Sequence, residues 1–126
     1  MKHIAILRQP FYDMILRGEK TIESRWSQKK IAPYQKIKKG DTIKLTGKDV
    51  TAKAKVEKVK FFELTPIIAE QIAIEYGNQI GVEKFEDWQT TKQKRYCTLI
   101  WFKDVTAIEP IKVQRSNGAG WIVLEN

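Results

Sequence analysis

Hydrophobic and polar positions alternate most clearly between Val50 and Leu64. Val50, Ala52, Ala54 and Val56 fall on one side of the alternation, and Thr51, Lys53, Lys55 and Glu57 on the other. Such a period of two describes a strand with one buried face. Beyond Glu57 the apolar phase slips to Val59 and Phe61, which predicts a bulge or bend near Glu57–Lys58. A long bent strand of this kind closes a small barrel. Arg95 to Ile108 alternates again through Tyr96, Thr98, Ile100 and Phe102, and GWIVLE reads as a last strand. Shorter strands are expected at Ile4–Leu7, Thr21–Trp26 and Asp41–Thr46.

Two helices are written between these strands. Pro10 suits a first helical turn, where its missing N–H costs nothing, Phe11, Met14 and Ile15 share one face, and Gly18 marks the stop. Thr65-Pro66 reads as an N-cap followed by proline at the first position, with Ile68, Ile72 and Glu75 at helical spacing up to Gly77. A further short helix is expected over Val82–Gln89. Trp88, Trp101 and Phe102 read as core, and SQKKIAPYQKIKKGD as a polar loop. The pattern predicts one domain over residues 1–126, of α+β class: five or six mostly antiparallel or mixed strands in a small β-barrel with two or three flanking helices.

The chain of 126 residues is long enough for one core and too short for two. It has no apolar run of membrane-spanning length and no signal-peptide pattern, so a cytoplasmic protein away from membranes is expected. Cys97 and His3 are single, so neither a disulfide framework nor a zinc site of the usual ligands is expected, and no cofactor motif occurs. The net charge of +8 is unevenly placed: residues 17–60 hold fourteen basic residues against five acidic ones. That suits a polyanion such as RNA, although a solvated lysine-rich surface or an acidic protein partner gives the same tally.

Candidate chemistry concentrates in GEKTIESRW, residues 18–26. Strand alternation puts Thr21, Glu23 and Arg25 on one face, with Glu23 and Arg25 about 7 Å apart, near enough to pair or to bracket a ligand. Lys20 at the strand's entry reaches the same region. The plain alternative is a solvated strand with one ion pair.

The stretch RQPFYDMILRGEKTIESRW resembles the opening of the ASCH domain, in the PUA-like superfamily. That pattern, R/H-Q-P, a helix, then G-x-K-x-x-E-x-R, is carried by Arg8, Gln9, Pro10, Gly18, Lys20, Glu23 and Arg25. The Gly40-Asp41 turn, the long strand, the helical insert and Y-x-T-x-I-W-F follow in the same order. The resemblance implies a barrel with a cleft against its helices that binds RNA or a modified nucleoside around Gln9, Lys20, Glu23 and Arg25. It offers one catalytic precedent, the bacterial N4-acetylcytidine amidohydrolase, whose Lys–Thr–Glu set matches at Lys20. The threonine position is Glu23 here, and the glutamate aligns best with Glu75, less well with Glu70. On that precedent Lys20 is the nucleophile and Glu23 or Glu75 the acid or base. Burial among cations would lower the Lys20 pKa to suit that role, whereas a salt bridge to Glu23 would keep it charged. A ribonuclease is a third reading, weakened because the usual histidine pair is impossible with only His3.

Among the remaining candidates, Arg8 suits a phosphate or carbonyl and Gln9 a base or amide edge, or either one caps the adjacent helix. Trp26 is placed to stack on a base or to pack the barrel. Lys29 and Lys30, with Lys36, Lys38 and Lys39, form either an approach for a phosphate backbone or a solvated loop. Ser116 and Asn117, in the turn SNGAGW, either border the cleft or form an ordinary turn.

Overall fold

The computed structural model describes residues 1–81, 94–113 and 120–124. The order of elements is β1 (Lys2–Ile6), α1 (Phe11–Leu16), β2 (Ile22–Ser27), β3 (Thr42–Gly47), β4 (Val50–Glu63), α2 (Pro66–Ile80), β5 (Tyr96–Ile108) and β6 (Trp121–Leu124). The six strands form one sheet in the order β2-β5-β4-β3-β1-β6. Only β1 and β3 are parallel, and every other neighbouring pair is antiparallel. The sheet curls into a mixed half-barrel whose ends are β2 and β6. The α+β barrel-like class expected from the sequence is the observed one.

Curvature comes from the two long strands. The β4–β5 ladder shifts register between Lys53 and Lys55 and again between Val56 and Lys58, the second where the apolar phase slips. Each shift adds local twist that lets a 14-residue strand wrap a small core. Inside the curl lie Ala5, Ile43, Leu45, Ala52, Ala54, Val56, Ile100 and Phe102, capped by Tyr12 and Ile15 of α1. The opposite face of β5 buries Cys97 and Leu99 against Ile72 and Ile80 of α2. Both faces of β5 are therefore covered over residues 97–100, which explains the nearly unbroken apolar run in its first half.

α2 begins as expected. The Thr65 hydroxyl accepts from the Ile68 N–H at 3.2 Å, and Pro66 occupies the first turn. The helix does not stop at Gly77 but runs to Ile80, ending on Gly81 with φ 93°. Gly77 is buried within the helix, and burial of Ile80 beyond it carries the helix through the glycine. The expected helix over Val82–Gln89, with Trp88, lies outside the described residues.

The loop between β2 and β3 is less solvated than its lysines suggest. Tyr34 and Ile37 are buried, and the Tyr34 ring packs 5.5 Å from Phe61 and 4.9 Å from Tyr96. His3 is buried as a bridge: its Nδ1 accepts from Trp121 Nε1 at 3.1 Å while Nε2 meets Asp41 at 2.9 Å. An acceptor Nδ1 leaves the proton on Nε2, facing the carboxylate. Asp41 also receives the N-terminal amine and the Lys38 N–H, which ties the starts of β1 and β3 together.

Candidate functional site

Lys20, Glu23 and Arg25 converge on one cleft, of about 270 Å³, between β2, the end of β1 and the C-terminal end of α2. Gly18, at φ 77°, supplies the left-handed turn after α1, and the N–H groups of Glu19 and Lys20 both return to the Met14 carbonyl. Lys20 is thereby set against the last turn of α2. Its ammonium donates to the Ile22 carbonyl at 2.8 Å and to the Ile80 carbonyl at 2.5 Å. The third partner is Glu23 Oε1, at 3.2 Å. A cation at the carbonyl end of a helix also meets a favourable dipole. Gly81 closes that turn of α2 at φ 93°, a conformation that an L side chain adopts only with strain.

Glu23 is 5% exposed and Lys20 3%. Besides Lys20, Glu23 accepts from the Ser24 N–H at 3.1 Å, and from Arg25 Nε at 3.2 Å and Nη2 at 2.8 Å. Arg25 then spans the mouth of the half-barrel, from β2 to the Ile6 carbonyl at 2.9 Å and the Gly120 carbonyl at 3.1 Å. Its guanidinium lies 5.3 Å from the Trp121 ring centre.

Burial lowers the Lys20 pKa, and Arg25 adds to that effect against the opposing pull of Glu23. Burial alone would raise the Glu23 pKa, but Arg25 and Lys20 together hold it below the ordinary carboxylate value. Three acceptors around Nζ match the three N–H bonds of an ammonium, whereas a neutral amine would turn its lone pair toward one of them. The resting geometry is therefore a closed ion network of Lys⁺, Glu⁻ and Arg⁺. With Arg8 on the rim, the cleft presents three cations against one carboxylate. Arg8 is exposed and its side chain has no ion pair among the described residues, so it is the group most free to meet a ligand. Trp26 and Phe11 supply aromatic walls.

Several expected residues lie elsewhere. Gln9 does not line the cleft. It is exposed and holds Asp13 at the start of α1, donating to the carboxylate and accepting from the N–H, both at 3.3 Å. That is the helix-cap alternative, favoured because α1 has no other side-chain cap. Glu75 is exposed on α2 and acts electrostatically on Lys60, not on Lys20, and Glu70 is exposed as well. Glu23 is thus the only carboxylate lining the cleft among the described residues. Lys29 and Lys30 are exposed outside it, Lys30 lying 5.7 Å over the Tyr96 ring. Ser116 and Asn117 lie outside the described residues. No metal-holding cluster of acidic, histidine or cysteine residues occurs among the described residues, and no described helix is long and apolar enough to cross a membrane.

No protein-family model matches the sequence, and no curated protein matches it. Solved structures do. ASCH from Zymomonas mobilis superimposes with a TM-score of 0.73 at 15% identity, over 98% of this chain and 87% of that one. A tyrosine-to-phenylalanine mutant of the Zymomonas mobilis protein gives 0.74 at 15% identity, over 98% and 90%. The hypothetical protein PH0355 gives 0.56 at 22% identity, over 86% of this chain and 100% of that one. The Zymomonas mobilis neighbours are ASCH proteins, so the resemblance carried by RQP and G-x-K-x-x-E-x-R is borne out at the level of the fold.

Proposed function

We propose that the chain is an ASCH domain that binds RNA or a modified nucleoside in the cleft walled by Lys20, Glu23 and Arg25. The observation that carries this reading is the cleft itself: a recess of about 270 Å³ with an excess of cations, a free arginine at its rim and an indole on its wall. Arg8 meets a phosphate or a carbonyl, and Trp26 stacks on a base, a contact worth roughly 1–3 kcal/mol. Lys20, Glu23 and Arg25 hold the wall and its positive potential instead of reaching out, since most of their hydrogen bonds are spent on one another and on backbone carbonyls. Titration with single-stranded RNA and a panel of nucleosides and nucleotides at several salt concentrations tests the reading. Saturable, salt-sensitive binding weakened by Arg8→Ala is expected, and absence of binding to every member of both sets refutes it.

A second reading is favoured by the lowered Lys20 pKa beside a buried carboxylate. It is hydrolysis of an N-acylated cytidine, with Lys20 attacking the acyl carbon and Glu23 carrying the proton to the leaving amine. Water then releases the acid from Lys20. The reaction requires Lys20 to leave the Ile22 and Ile80 carbonyls when substrate enters. Incubation with N4-acetylcytidine decides it: cytidine and acetate must form, and Lys20→Ala must abolish their formation.

A further inference from the structure

Away from the cleft, the outer face of β4 and β5 gathers a second set of cations and rings. Lys58 of β4 stands opposite Trp101 of β5 in register, its Nζ 4.8 Å from the ring centre. Lys60, two residues on, places its Nζ 5.9 Å from the centre of that indole. Tyr76 of α2 meets Trp101 edge-on at 5.5 Å, and its hydroxyl accepts from Lys60 at 2.9 Å. Trp101 and Tyr76 are half-buried, anchored on the Ile72–Leu99 cluster, so their orientation is fixed by the core. Beside them a broad hollow of about 620 Å³ is lined by Lys39, Lys58 and Trp101, with Glu57 also on its wall.

The sequence reads Trp101 as core, yet part of it reaches the surface under two ammonium groups. Neither Lys58 nor Lys60 has a salt bridge to a carboxylate among the described residues, although Glu75 attracts Lys60. Ammonium groups two residues apart on one strand face repel, and a phosphate between them removes that repulsion. An indole lying under ammonium groups that have no salt bridge among the described residues matches a nucleotide, whose phosphates draw the flexible lysines aside while its flat base takes their place over the ring. An acidic peptide would use the charges and leave the ring idle.

We propose that this face is a binding surface for single-stranded RNA, separate from the cleft, with Lys58, Lys60 and Lys39 meeting phosphates and Trp101 stacking on a base. It reads no sequence, because its contacts are to backbone and to a π-face that every base has. Glu57 on the wall and Glu75 near Lys60 offset part of the lysine charge, so stacking contributes alongside salt-dependent attraction.

The test uses the full chain and three probes: a fluorescein-labelled 12-nucleotide single-stranded RNA, a nucleoside monophosphate and polyglutamate. The variants are Lys58→Ala/Lys60→Ala, Trp101→Ala, Trp101→Phe and Arg8→Ala, each checked for the wild-type melting temperature. The lysine double variant is expected to flatten the slope of log K against log salt by about 1.4 for two lost phosphate contacts. Trp101→Ala is expected to weaken the 12-mer roughly 5- to 160-fold, with Trp101→Phe retaining most of the affinity. If Trp101→Ala unfolds the chain, the lysine variant and Trp101→Phe still decide. Unchanged 12-mer affinity and salt slope in the lysine variant overturns the proposal. Polyglutamate binding as tightly as RNA also overturns it, in favour of an acidic protein partner. Should Arg8→Ala alone abolish 12-mer binding, the cleft stands and this surface falls. If the 12-mer needs the lysine pair and is unaffected by Arg8→Ala, the surface stands and the cleft is left to the nucleoside panel. No binding of the 12-mer overturns the surface.

Discussion

Exchanging Glu23 for glutamine removes a charge while nearly keeping a shape. Oε1 still accepts from the Ser24 N–H and from Lys20, but an NH₂ group replaces Oε2. It then faces the Arg25 Nε and Nη2 hydrogens, which lie 3.2 and 2.8 Å from that position. Two charge-assisted bonds become a donor–donor clash, and the cleft is left with cations alone. Removing one partner from a buried ion pair costs about 3–5 kcal/mol. The Arg25 side chain is 21% exposed and keeps the Ile6 and Gly120 carbonyls, which puts the cost at the lower end, about 3 kcal/mol. For a chain of this size that is a fall in Tm of roughly 10 °C. Urea unfolding followed by circular dichroism measures it, with the denaturant slope unchanged. Adding Lys20→Met supplies a second check: the pair are neighbours, so the double variant should cost at least about 1 kcal/mol less than the two singles added. A loss below about 0.5 kcal/mol, or strict additivity with Lys20→Met, refutes the closed ion network.

The same network sets the acid side of the stability curve. Folded-state pKa values of Glu23 and Asp41 lie below their ordinary values of 4.5 and 3.8, so both groups bind fewer protons folded than unfolded. Their stabilisation is complete above those ordinary values and is lost as pH falls through the folded ones, so unfolding free energy should drop with acid over that window, and less steeply in Glu23→Gln. Thr65→Ala removes the hydroxyl that accepts from Ile68 and should cost about 1 kcal/mol in urea unfolding. Cys97 is fully buried and its pKa is raised by that burial, so a thiol reagent should leave the native chain unlabelled for as long as it stays folded and label it at once in urea.

What the sequence reveals of this fold is what repeats locally. The alternation of Val50 to Val56 and the slip after Glu57 are enough to place β4 and its second register shift, and Thr65-Pro66 marks the start of α2. The first shift, between Lys53 and Lys55, leaves the apolar phase on Ala54 undisturbed and so has no signature. Gly77 misleads because a helix end depends on what lies beyond it, here the burial of Ile80. In the site, the convergence of Lys20, Glu23 and Arg25 follows from strand alternation and the family motif. Their other partners do not: the Ile80 and Gly120 carbonyls are 60 and 95 residues away from Lys20 and Arg25, and backbone oxygens carry no residue signature. Glu75 fails for a related reason. Helical spacing says which residues share a face, not which face turns to the cleft. Trp101 reads as core from its alternation, and the lysines that cover it become neighbours only through the β4–β5 pairing.

The two terminal strands of the sheet, β2 and β6, share no ladder among the described residues. The Arg25 side chain crosses that gap to Gly120, which makes the residue a clasp as well as part of a wall. On the proposed reading, a substitution that retunes recognition at this position also unfastens the shell, so the two properties cannot drift independently there. The Arg8 side chain, which has no ion pair among the described residues, is where the proposed specificity is free to change.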